Sequence, residues 1–161
     1  MLTLLIVLHV ASAVIFIGPA MVASSAFPKQ AEAARQGDAQ AAGRAQLLHR
    51  NTSLYGLLSA LTPLLGAAAM FAGWEFFKSS GQYHASILLA VIAWGVLIGL
   101  VVPQQKKMLG TLNLLPASDA DPEKDQVQDW DKSKKMTTIG AGIFNLLWII
   151  ILILMFVNNF G

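Results

Sequence analysis

The side chains of this protein best suited to chemistry are three histidines, His9, His49 and His84. A neutral imidazole can hold a metal through one ring nitrogen while the other donates a hydrogen bond. No cysteine is present, which removes disulfides, thiolate metal sites and thiol catalysis together. His9 lies within the first of four long apolar runs, and His84 stands just before the third. His49 precedes the second run from the opposite side. At a helical rise of about 1.5 Å per residue, His9 sits roughly 7 Å from the middle of its run and His84 about 15 Å, both toward the same side. The same rise separates His49 from His9 by on the order of 25–30 Å. His9 and His84 are thus the pair able to share a ligand if the first and third runs lie side by side. That pair predicts an axial site for haem b, lined by Met21 or Trp94. The competing expectation is a neutral His9 hydrogen-bonded to Ser12 or to a neighbouring carbonyl.

The elements that must position these residues are the apolar runs themselves, residues 2–26, 54–74, 85–102 and 137–157. Each is near the roughly 17–25 residues a helix needs to cross a hydrocarbon core of about 30 Å. In a chain of 161 residues, 55% hydrophobic and 12% charged, this composition excludes an ordinary soluble domain. The runs do not alternate in and out as barrel strands do, so they satisfy their backbone groups as helices. Residues 22–26 look like a signal-peptide cleavage region. However, no Lys or Arg precedes the first run, and it exceeds the roughly 7–15 apolar residues of a signal peptide, so a retained span is expected.

Charge sets the expected orientation. Lys29, Arg35, Arg44 and Arg50 lie between the first two runs, and Lys106, Lys107, Lys124, Lys132, Lys134 and Lys135 between the last two. Lys78 stands alone between the second and third. The positive-inside rule predicts cytoplasmic loops 27–53 and 103–136, with both termini outside. The expected architecture is all-α, an antiparallel four-helix transmembrane bundle forming one domain over 1–161 in a bacterial cytoplasmic membrane. The polar pieces are too small for a second core. The slight positive charge follows from topology and requires no nucleic acid.

Within the spans, Gly18-Pro19 predicts a kink and Thr62-Pro63 an interruption, while Val102-Pro103 predicts the end of the third. Residues 29–50 favour helix, broken near Gly37-Asp38. Asp121-Pro122-Glu123 carries a helix-start signature, so a helix running from there to Val157 is expected. Trp74, Phe76 and Phe77 beside Lys78 suit a membrane interface. Gly95 and Gly99, four apart, predict close approach of another helix, with Gly66 and Asn145 as further packing positions and Ser59 and Thr62 as interhelical donors.

Other chemistry is poorly supplied. No span carries Asp, Glu, Lys or Arg away from its ends, which disfavours coupled ion transport. Asp119, Asp121, Glu123 and Asp125 alternate, but the positions where an EF-hand needs Gly and Glu hold Lys124 and Trp130, so the calcium reading fails. Lys132, Lys134 and Lys135 are placed to touch anionic lipid, though the positive-inside bias already accounts for them.

The opening Leu8-His9-Val10, Ala13-Val14 and Phe16-Ile17-Gly18 resembles the first helix of the DUF2269 family of small four-helix membrane proteins, and Thr62-Pro63 fits its second helix. More distantly the chain is similar to HemJ-type and copper-resistance D-type membrane proteins, which also place a histidine in the first helix. The HemJ-type resemblance implies a haem role for His9. The DUF2269 resemblance brings no reaction with it. The function expected from these readings is a non-catalytic accessory or assembly subunit of a larger bacterial membrane complex, a respiratory complex being one candidate. Its partners would be lipid and other integral membrane subunits, as a hetero-oligomer, and no cofactor is required. The alternative is a haem b protein using His9, with His84, for electron transfer or haem handling.

Overall fold

In a computed structural model of the chain, residues 1–157 are described, and no strand occurs among them. Four helices are long and apolar enough to cross a membrane: Leu2–Arg35, Ala39–Ala72, Gly81–Thr111 and Trp130–Phe156. A short helix, Trp74–Phe77, lies between the second and third. Residues 158–161, the last four of the expected domain, lie outside the described residues.

The first three helices outrun their apolar segments. A helix of 34 residues spans about 50 Å, against a hydrocarbon core of about 30 Å, and the surplus falls at the basic end. There Gly37 takes a φ of 96°, a left-handed conformation that glycine adopts without penalty. Asp38 then caps the second helix, accepting from Gln40 N at 2.8 Å and Ala41 N at 3.0 Å. The expected break at Gly37-Asp38 is present, with helix on both sides of it.

Three interruptions are tied to proline. Ala13–Ile17 and Leu97–Val101 are π-helical turns, each ending one residue before a residue–proline pair, Gly18-Pro19 and Val102-Pro103. Proline lacks the N–H and crowds the carbonyl four residues back, and a widened turn accommodates both. The third helix therefore continues past Pro103 to Thr111 rather than stopping at Val102. In the second helix Pro63 opens a gap at Ser59-Ala60, where Ala60 N turns to Leu57 O and Thr62 N to Ser59 O.

Residues 2–12 pack on residues 61–72, and residues 18–35 on residues 39–58. Residues 81–96 pack chiefly on the fourth helix. Ala20, Ala93, Leu97, Val101, Phe144 and Trp148 form a core where the first, third and fourth helices meet. A second cluster at the basic end joins Phe27, Ala31, Ala45, Met108, Leu109 and Trp130. The polar pieces thus do build a core, because helix extensions rather than loops supply its walls. Large apolar side chains such as Val14, Val22, Leu64, Leu88 and Leu152 remain more than half exposed, a surface that suits lipid better than water.

The fourth helix begins at Trp130, capped by Asp129, eight residues after the expected start. Asp121 does accept from Glu123 N and Lys124 N, but this forms only one turn. Tertiary contacts claim the following residues. Asp125 pairs with Lys106 at 3.1 Å, Val127 N donates to Thr111 Oγ1, and a Cβ on Gly110 would collide with Asp125 O.

Candidate functional site: polar contacts between the helices

His9 is partly buried against the second helix. Its Nδ1 lies 2.8 Å from Thr62 O. A carbonyl only accepts, so in the neutral ring Nδ1 carries the proton and Nε2 keeps its lone pair. Ser12 Oγ donates to His9 O and lies 3.1 Å from Thr62 Oγ1. Gly66, one turn beyond Thr62, makes room for the ring: a Cβ there would fall 2.9 Å from His9 Cε1. Of the two expectations for His9, bonding to a neighbouring carbonyl describes its contacts.

Farther along the same helix, the Pro63 interruption deprives Gly56 O of the Ala60 N–H. Ser59 Oγ at 2.7 Å and Trp94 Nε1 at 3.0 Å donate to it instead. Away from water such replacement is required, because an unpaired carbonyl is costly. Thr62 therefore acts between helices as expected, through its backbone carbonyl as well as its side chain, whereas the Ser59 hydroxyl bonds within its own helix. Trp94, one of the two residues expected to line a haem, is a donor to the second helix.

At the basic end His49 Nδ1 faces Gln105 Oε1 at 3.2 Å, and Gln105 Nε2 reaches Thr52 Oγ1 at 3.5 Å. Gln105 is wholly buried. Burial pushes the His49 imidazole below its ordinary value, and Lys106 adds to this while the Gln105 hydrogen bond opposes it. Glu32 is pulled below the usual carboxylate range by hydrogen bonds from Trp130 Nε1 and Lys134 Nζ, at 2.8 and 3.1 Å. Sequence reasoning missed Glu32, Gln105 and Trp130 because their partners lie far along the chain.

His84 is exposed, with Nδ1 3.2 Å from Ser80 O of its own helix. Among the described residues no hydrogen bond or ring contact joins it to His9. The first helix's N-terminal part packs on the second, not in the pairing that a shared ligand requires. Asn145 Nδ2 donates to Ser25 Oγ at 2.7 Å, while its Oδ1 has no partner among the described residues. Gly95 and Gly99 are exposed, and nothing lies within 4 Å of a Cβ built on either. Close helix approach within the chain occurs instead at Gly56, against Leu97, at Gly66, and at Gly140, against Val101.

Among the described residues no three His, Asp or Glu gather as a metal-ligand set. Two surface concavities lie away from the histidines: an apolar groove along Leu152, Ile153, Phe156 and Val157, and a small recess lined by Gly110, Asn113, Asp121 and Asp125. Compared with family models, curated proteins and solved structures, the chain gives no match.

Proposed function

We propose that this protein is a non-catalytic accessory or assembly subunit of a larger bacterial membrane complex, related to the DUF2269 family. In this reading the four helices alternate in direction across the cytoplasmic membrane, with both termini outside. The observation that carries it is the bare face at Gly95 and Gly99. These glycines are spaced for close helix approach, yet the chain's own helices leave them uncovered. The interior polar groups are mostly engaged in holding helices together, which suits a scaffold better than a catalyst. A respiratory complex is one candidate host.

Mild-detergent purification tests this. A larger assembly of defined composition is expected, and Gly95→Leu with Gly99→Leu should dissolve it while leaving the chain folded. Monomer alone, with no co-purifying oxidase or cytochrome, would sink the proposal. For orientation, the absence of cysteine allows single Gly43→Cys and Ser79→Cys probes. An impermeant maleimide added to intact cells should label only the second.

A second reading is favoured by one contact. A ligating histidine commonly donates its other ring N–H to a backbone carbonyl, and His9 does so to Thr62 O, leaving Nε2 available. In a haem b protein His9 would be the axial ligand, and the haem would supply one-electron chemistry. His84 supplies no second ligand in the present packing. Protein expressed with haem available should then show a Soret band that His9→Ala removes, and its absence rules this reading out.

A further inference from the structure

The basic residues at the basic end of the molecule are not evenly distributed. At that end, seven of the ten Lys and Arg residues lie in the five-residue intervals flanking the apolar segments, 27–31, 49–53, 103–107 and 132–136: Lys29, Arg50, Lys106, Lys107, Lys132, Lys134 and Lys135. None of the eight acidic residues at that end falls in those four intervals, Glu32 and Asp131 each standing one position beyond. All four intervals are helical, so five residues rise about 7 Å. That matches the headgroup layer, since a bilayer of about 40–45 Å encloses a core of about 30 Å.

Pairing sets a subset of these cations apart. Beyond these intervals at that end, every cation has a partner. The Arg35 guanidinium lies 5.1 Å over the Trp130 ring, Arg44 donates to Gln40, and Lys124 pairs with Asp121. Within the intervals, Lys106 pairs with Asp125 and Lys134 with Glu32. The remaining five, Lys29, Arg50, Lys107, Lys132 and Lys135, have no anionic partner among the described residues. All four helices contribute to this set. Topology alone calls for positive charge on this side, but it does not set which cations are paired, and within these intervals Asp125 and Glu32 reach only Lys106 and Lys134.

We propose that these five cations form a ring that binds the phosphates of anionic phospholipid, so that the protein carries a shell of such lipid at its basic end. The proposal needs the helices to span a bilayer, and is independent of the accessory-subunit reading. Lys and Arg suit lipid phosphate as point-charge and forked donors respectively, and each cation near such a surface strengthens binding by up to about fivefold.

The test uses the full chain in lipid discs of equal phosphatidylcholine and phosphatidylglycerol, followed by partial delipidation and native mass spectrometry. Phosphatidylglycerol should be retained several-fold over phosphatidylcholine, and the excess should fall as salt is raised, as screening requires. Replacing all five cations by Gln should abolish the preference, whereas Arg44→Gln with Lys124→Gln should not change it. If the five-fold variant does not fold, each single substitution should still lower retention by up to about fivefold. Equal retention of the two lipids, or a preference that survives the substitutions, overturns the proposal. Displacement by millimolar inorganic phosphate would mark a simple anion site and also overturns it. A chain that will not enter the discs at all refutes the membrane reading itself.

Discussion

Across 53 positions of sequence, the His9 ring donates to Thr62 O, and Gly66 lies beneath the ring without a side chain. The two halves of this contact depend on each other. His9→Ala removes an interhelical hydrogen bond and should lower stability by about 1 kcal/mol. Gly66→Ala pushes the ring off its acceptor and should cost a similar amount. With the ring already absent, the second change has little left to disturb. A double-mutant cycle in SDS unfolding should therefore give a coupling of about 1 kcal/mol. Additive losses would contradict the contact.

The gap in the second helix makes a paired prediction. Trp94→Phe leaves Gly56 O with Ser59 Oγ alone and should destabilise by about 1 kcal/mol. In Pro63→Ala the regular ladder can close and return Gly56 O to Ala60 N. Trp94→Phe should then cost less than half as much by the same unfolding assay.

Stability should fall with mild acid. The folded state holds His49 below its ordinary value of 6.5, first through burial, so the unfolded chain binds more protons as pH drops. The contribution of neutral His49 is complete above pH 6.5. It is lost progressively below that, levelling off once the folded protein also protonates. Glu32 and Asp121, both shifted downward from 4.5 and 3.8, add their own losses only in more acid solution. Unfolding between pH 7 and 5 should thus show a slope that His49→Gln flattens.

Glu32 ties the first helix to the start of the fourth through Trp130 and Lys134. Glu32→Ala should destabilise by about 1 kcal/mol, most of it from the indole N–H, since the lysine is partly exposed. Amide exchange should accelerate over residues 129–134 and remain unchanged near Asn145, and Trp130 emission should shift to the red.

What could be read from sequence was what local chemistry decides. Gly37-Asp38 is a break because one residue takes a positive φ and the next caps a helix, and neither needs a distant partner. The apolar runs identify the helices because their length alone suits a bilayer. The late start of the fourth helix was hidden, since its cause is Lys106 and Thr111 reaching Asp125 and Val127 from another helix. Glycines were equally ambiguous: Gly95, Gly99, Gly56 and Gly140 look alike in sequence, and only the packing shows that the first two are left bare. For His9, sequence supplied both the ligand reading and the hydrogen-bonded one, but not the acceptor, because Thr62 O lies on another helix.

The two donors on Gly56 O also differ in when they become available. Ser59 lies three residues away in the same helix and arrives with it as the ribosome extends the chain. Trp94 is 38 residues farther on and reaches the carbonyl only after the third helix has entered the bilayer. During synthesis the broken second helix thus has a provisional donor of its own, and the indole completes the contact once its helix has inserted.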